Sequence, residues 1–172
     1  MSSKVEFENY SVKVKDALHD ACIQYLYEAA AEIRAKTVRN TRTFHKGDGF
    51  DVRGSWKEQV DEKDLVAKVG SELEASYWEE LGTGTHALNK DGRKGWWVYI
   101  KGGSGYKGRT NTYDTQEEAE KMARYIRATH NLEAYATNGM EPNRPLHRAF
   151  ESRKAWLQRR AAELLGEEMD ND

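Results

Sequence analysis

The sequence predicts an α+β fold: a long N-terminal helix and a C-terminal helix packed on a small, mostly antiparallel sheet, with an inserted strand and helix. Apolar side chains recur at three- and four-residue steps through residues 12–38 and again through 145–165, which is the helical period. Between these segments, residues 55–60, 65–70, 96–100 and 132–137 are short apolar or alternating runs bounded by turn-forming residues. No internal repeat, heptad series or low-complexity tract interrupts the pattern.

In the first helix, Val14, Leu18, Ala21, Cys22, Tyr25, Ala29 and Ile33 form the apolar stripe, and Cys22 on that stripe reads as a small buried hydrophobe. Residues 39–54 carry Gly47, Gly49 and Gly54 and lose all periodicity, so a loop is expected. The runs 55–60 and 65–70, joined across the charged residues 61–64, read as a hairpin. Residues 75–81 read as a short helix stopped by Gly82, which can take a positive φ at a helix C-terminus. A glycine-rich stretch, 86–113, surrounds the strand 96–100. Thr115, followed by Glu117, Glu118 and Glu120, marks a helix start, with Ala119, Met122, Ala123 and Ile126 as its apolar face and an end near His130 and Asn131. Residues 132–137 suit an edge strand, Asn138 and Gly139 a turn, and Pro145 the first turn of the last helix. The acidic tail 167–172 is expected to fray.

A length of 172 residues suits a single domain, 1–172, with residues 86–138 as an insertion within it. With 38% hydrophobic and 33% charged residues, the chain has limited apolar material for a monomeric core, and partner subunits are expected to supply part of the stability. A net charge of -2 gives no global attraction to nucleic acid or anionic membrane. One cysteine excludes an internal disulfide framework and a zinc site built on cysteine pairs. The first ten residues carry charge and no apolar core of a leader, and no run approaches the ~20 apolar residues of a membrane span, so a protein made and kept in the cytoplasm is expected.

The residues that could carry catalysis lack the spacing it needs. Glu79 and Glu80 are neighbours, which on a helix diverge by about 100°, so a solvated or interface role is expected of both. His19, His45, His86, His130 and His147 fall into no metal-ligand pattern. No glycine-framed serine supports a nucleophile, and the Gly82-Thr83-Gly84-Thr85 run lacks the lysine of a phosphate loop. The expectation is a protein without catalytic residues, metal or cofactor. One local charge concentration stands out: Lys90, Arg93, Lys94, Lys101, Lys107 and Arg109 against Asp91, interleaved with Trp96, Trp97, Tyr99 and Tyr106. Charge and stacking of this kind can bind single-stranded nucleic acid. Aromatics in a strand more often serve core or interface packing.

Two separated blocks carry a resemblance. Tyr77-Trp78-Glu79-Glu80-Leu81-Gly82-Thr83-Gly84 resembles the aromatic block ending in Gly-Thr-Gly of the small head-tail joining proteins of long-tailed bacteriophages, also labelled tail completion, neck or minor tail proteins. Gly139-Met140-Glu141-Pro142-Asn143-Arg144-Pro145-Leu146-His147-Arg148-Ala149-Phe150 is similar to that family's proline-arginine-proline run into its terminal helix. Between them, the strand of Trp96, Trp97 and Tyr99 resembles one many members carry in their insertion, and Val52-Arg53-Gly54-Ser55-Trp56 is a weaker echo after the first helix. Trp78 departs from the family's small residue, and Leu146-His147 from its Phe-Leu.

What the resemblance implies is a non-enzymatic structural subunit at the head-tail junction of a virion, assembled in the host cytoplasm as a homo-oligomeric ring, six-fold by the family's habit. Its partners would be a tail tube or tail terminator protein and a head connector or stopper protein. DNA passing through the ring could meet the basic loop. A membrane plays no part. Tyr77, Trp78, Leu81, Gly82, Thr83, Gly84, Pro142, Pro145 and Leu146 become the candidate assembly interface, with rigid aromatics as anchors and prolines limiting the entropy lost on docking. Whether Tyr77 to Leu81 meet a neighbour or the subunit's own core stays open in the sequence.

Overall fold

A computed structural model of the chain describes residues 11–42, 51–101 and 111–170, the side chains of 11–13 and 167–170 excepted. Four α-helices and two antiparallel strand pairs follow the expected order. The first helix, α1 (Ser11–Asn40), and the last, α4 (Pro145–Asp170), lie antiparallel and form the most extensive contact in the molecule. Their register is written in polar pairs: Asn40 Nδ2 donates to the Pro145 carbonyl at 3.1 Å, Arg153 meets Glu32 at 2.5 Å, and Arg160 forks onto Glu28 at 2.7 and 3.1 Å. The Arg160 guanidinium, with help from Gln24, holds the Glu28 carboxyl down at about 2.

Strands β1 (Lys57–Asp61) and β2 (Val66–Gly70) form a hairpin whose turn is closed by Asp61 Oδ1, which accepts from the backbone N–H of Lys63 and of Asp64 at 3.1 Å. Val60, Ala67 and Val69 lie on one face of the ladder, as strand alternation requires, and the hairpin packs on α1. Arg34 ties the two by donating to the Trp56 carbonyl at 3.0 Å while pairing with Glu58 at 2.8 Å. Trp56, 4% exposed, sends its indole N–H to Thr41 Oγ1 at the end of α1.

The insertion forms its own small unit. Strands β3 (Trp97–Ile100) and β4 (Ala134–Thr137) pair antiparallel, and α3 (Gln116–His130) covers one face. Val98, Ala123, Ile126 and Ala134 are its buried cluster, with Ile100, Tyr113, Met122 and Leu132 around it. The start of α3 is the capping box that Thr115 suggested: its Oγ1 accepts from Glu118 N at 3.3 Å, and Glu118 Oε2 accepts from Thr115 N at 3.4 Å. Asn131, left-handed at φ 52°, ends it.

Two details differ from the expectation. The strands form two separate two-stranded sheets instead of one, because β3 and β4 have a helix of their own to pack against while β1 and β2 use α1. Cys22 is half-buried, since α1 and α4 form a two-helix layer that leaves the side of the stripe uncovered. Helix α4 continues to Asp170. The expected first-ten-residue segment, the core of the 39–54 loop (43–50), most of the glycine-rich loop (102–110) and residues 171–172 lie outside the described residues. No helix among the described residues is long and apolar enough to cross a membrane.

Candidate functional site: the junction of two sequence blocks

Helix α2 (Glu74–Leu81) is short and amphipathic, with Ser76 and Glu79 buried on one side and Tyr77 and Trp78 exposed, at 52% and 41%, on the other. Its start has no side-chain cap from Leu73; instead the Ser76 hydroxyl bonds to Ser71 and to the Leu73 carbonyl. Its end is Gly82 at φ 75°, whose N–H donates to the Trp78 carbonyl at 2.7 Å. The chain that leaves Gly82 runs against the second block, backbone to backbone. Thr83 N donates to Met140 O and Thr85 N to Asn138 O, both at 2.9 Å, and Met140 N donates to Thr83 Oγ1 at 2.9 Å. The insertion therefore departs and returns through one hydrogen-bonded neck.

Glycine is required there for space as well as for dihedral angle. A Cβ on Gly139, at φ 124°, would overlap the Thr83 carbonyl, and one on Gly84, at φ 61°, would overlap Asn138 O and the Trp97 ring. A Cβ on Gly82 would stand 2.8 Å from Met140 O and 2.9 Å from Pro142. Side chains larger than hydrogen would push the two blocks apart.

The two carboxylates beside each other on α2 correct the expectation of a solvated or interface role. Glu79 is fully buried. Its Oε1 accepts from Arg42 N at 2.6 Å and from Asn143 Nδ2 at 2.7 Å, while its backbone carbonyl accepts from Asn143 N and Arg144 N at 2.9 and 3.2 Å. Asn143 Nδ2 also donates to the Asn40 carbonyl at 2.8 Å. One side chain thus gathers the end of α1, the whole of α2 and the approach to α4. Glu79 Oε2 has no hydrogen-bond partner among the described residues. Glu80 points the other way, and its two oxygens accept from Leu146 N at 2.9 Å and His147 N at 3.1 Å. These are orphan donors in the first turn of α4, where the helix dipole favours an anion. Adjacent residues diverging on a helix do exclude a shared substrate; they do not exclude gripping two different elements.

Among the residues named from sequence, Tyr77 and Trp78 face outward. Gly82, Gly84 and Pro145 are buried in the junction, and Leu81, Thr83, Pro142 and Leu146 are half-buried. Leu88, 47% exposed, lies beside Leu81, to whose carbonyl its N–H donates at 2.9 Å, and Asn89 Nδ2 holds the Tyr77 hydroxyl at 3.0 Å. Tyr77, Trp78, Leu81 and Leu88 therefore form one outward apolar patch on a fixed frame. Glu79, Glu80, Asn143 and Asn40 were missed because their partners lie 37 to 103 residues away, a separation that leaves no local signature.

The basic residues are less gathered than their order in the chain suggests. Arg93 lies over the Trp97 ring at 5.1 Å and donates to Thr112 Oγ1 at 3.0 Å, and Lys101 pairs with Glu133 at 3.2 Å. Lys90 and Lys94 are exposed, while Lys107 and Arg109 lie outside the described residues, as does His45. Among the described residues, no group of three or more His, Cys, Asp and Glu side chains is placed to hold a metal ion. The chain matches no known family model, no curated protein and no solved structure.

Proposed function

We propose that this chain is a structural subunit of a phage head-tail junction, a tail completion or neck protein that acts by ring assembly and by docking to neighbouring virion proteins. The observation that carries the reading is the interlock of residues 77–85 with 138–147. The two blocks that resemble the family are one physical unit, held by backbone hydrogen bonds, glycine contacts and two carboxylates. The unit turns its polar groups inward and leaves Tyr77 and Trp78 outward on a rigid mount, the arrangement expected of interface anchors. The direct test mixes purified chain with tail tube or terminator protein and with connector protein and locates the subunit in intact particles by electron microscopy. Binding to both sides and density at the junction are expected. A subunit absent from particles would sink the reading. Trp78→Ala should lower assembly by about tenfold or more while leaving the unfolding midpoint within error.

A second reading, nucleic-acid binding, has one observation in its favour. The outer face of the β3–β4 ladder pairs Tyr99 with Tyr135, both 50% exposed, next to Trp97 and Arg93. Such a platform can stack bases. Tyr99→Ala and Lys101→Glu should then abolish a salt-sensitive DNA affinity, and the absence of any affinity at low salt dismisses it.

A further inference from the structure

Among the apolar surfaces that the described residues leave uncovered, two can be compared. One is the Tyr77, Trp78, Leu81 and Leu88 patch on α2. The other is one side of the α1–α4 pair. Glu28 and Glu32 mark the line along which α1 meets α4, and Arg153 and Arg160 mark the same line on α4. A helix turns by about 100° per residue, so Leu18, Cys22 and Ala29 fall to one side of the first line, and Leu157, Ala161 and Leu165 to one side of the second. Because the helices are antiparallel, those two sides coincide. Leu165 is 40% exposed and the other five are half-buried, so the side is apolar and only partly covered by the described residues.

The charges around the two surfaces differ in sign. Lys15, Lys36 and Lys154 flank the helix-pair side, and no carboxylate whose side chain is described lies on it. Glu74, one helical turn before Trp78, and Glu72, just ahead of α2, are both exposed, and so is Lys90, next to the Asn89 that holds Tyr77. None of Lys15, Lys36, Lys154, Glu72 and Glu74 forms an ion pair among the described residues. Within one subunit the surfaces cannot meet, since α2 grips α4 at Leu146 and Ala161 lies roughly 22 Å further along that helix at 1.5 Å per residue.

We propose that these are the two halves of a single contact between copies of this chain: the α2 patch of one subunit seats on the α1–α4 side of the next, with Glu72 and Glu74 facing Lys15 and Lys154. The inference rests on the assembly reading above and assigns the surfaces it uses. The contact joins two different patches, so it is heterologous, and repetition closes a ring where its rotation divides a full turn without translation. Burying Tyr77 and Trp78, both exposed, against Leu157 and Leu18 removes apolar surface from water.

The contact predicts which cysteines can be bridged. In full-length Trp78→Cys protein, kept at a concentration well above the wild-type assembly midpoint to offset the lost anchor and shown to form rings by native mass spectrometry, native Cys22 and the introduced thiol should be linked between subunits by a flexible bis-maleimide, giving a ladder of species up to the ring. Wild type and the Trp78→Cys, Cys22→Ser double variant should give no ladder. Linked dimers in wild type would mean that two Cys22 faces meet each other, which overturns the proposal. Rings by native mass spectrometry without a ladder overturn this contact and leave the assembly reading intact. A protein that stays monomeric overturns the contact, and the particle test then judges the assembly reading alone. A ladder with no binding to virion proteins leaves the contact standing and removes the assembly reading. With Trp78 intact, Glu74→Lys should raise the assembly midpoint concentration about tenfold, and adding Lys154→Glu should restore it. Weakening without rescue overturns the pairing of these two faces.

Discussion

The junction around Glu79 and the α3–β3–β4 unit each hold distant chain segments together, but with different forces. The unit uses close-packed apolar volume: Ile126, Ala123 and Ala134 are fully buried and Val98 is 2% exposed. The junction buries a carboxylate, a serine and a proline, and its contacts are hydrogen bonds and backbone surfaces without Cβ atoms between them. Apolar packing tolerates exchange among hydrophobes of equal volume. A backbone-to-backbone contact tolerates almost nothing, because neither partner has a rotamer to change. That makes the junction a stiff mount and the inserted unit an adaptable attachment to it.

Gly139→Ala should therefore have the largest effect. The added methyl meets the Thr83 carbonyl and the residue must keep φ 124°, so overpacking and backbone strain add to a loss of about 4 kcal/mol. Urea unfolding followed by far-UV circular dichroism reads it. A loss below about 1 kcal/mol would show that the neck relaxes and would erase the contrast. Ile126→Ala should cost about 3 kcal/mol by leaving a cavity between α3 and the strands, whereas Ile126→Leu should cost about half of that or less. The pair of values shows whether volume governs the unit.

Glu79→Ala comes next, at about 2 to 3 kcal/mol. The substitution leaves Arg42 N and one of the two Asn143 Nδ2 hydrogens without an acceptor, the other staying on the Asn40 carbonyl, and a buried donor without a partner carries the full cost of its lost hydration. Hydrogen exchange should show Arg42 and the first turn of α4 losing protection before the α3 unit does. Simultaneous loss in both regions would mean that they unfold as one body and that the comparison is between parts of a single cooperative unit.

The α3 unit was readable from local sequence because its forces are local in period. Ala119, Met122, Ala123 and Ile126 repeat at helical steps, Thr115 and Glu118 stand at capping-box spacing, and Asn131 marks the stop. The hairpin and both long helices were legible for the same reason. The junction left only the outline of α2 in the sequence, because Glu79 reads as one more charged residue until Asn143 and Arg42 are brought to it from 64 and 37 residues away. Periodicity counts neighbours along the chain and says nothing about such partners. The resemblance singled out two blocks that interlock in the fold. It named them as an interface, yet Gly82, Gly84 and Pro145 are buried within the subunit, and Tyr77 and Trp78 are the members of that set with exposed side chains. The division of strands into two sheets was likewise invisible, since a strand's sequence does not state which helix it will cover.

Thr115→Ala tests the inserted unit at its edge. Removing the cap oxygen leaves Glu118 N without its acceptor and should cost about 1 kcal/mol, measured by urea titration, with Asn143 and Glu79 protection unchanged. If the junction loosened in step, the neck would be transmitting strain that its rigidity is meant to block.

The smallest expected effect separates a partly exposed carboxylate from the buried one. Glu28, on the α1–α4 contact line, has its pKa lowered from 4.5 to about 2, chiefly by the hydrogen bond from Arg160. A carboxylate with a depressed folded pKa contributes stability above its unfolded pKa and loses it as pH falls through the folded one. The difference in urea midpoint between wild type and Glu28→Gln should be small near pH 7, since the pair is partly exposed and screened, and should vanish as the pH approaches about 2. Added salt should shrink it as well. Gln at position 79 should behave differently, because that site is closed to solvent and its acceptor oxygen can survive the change: the effect should be insensitive to salt. A salt-dependent response at Glu79 would place water in the junction and make it a softer mount than its hydrogen bonds imply.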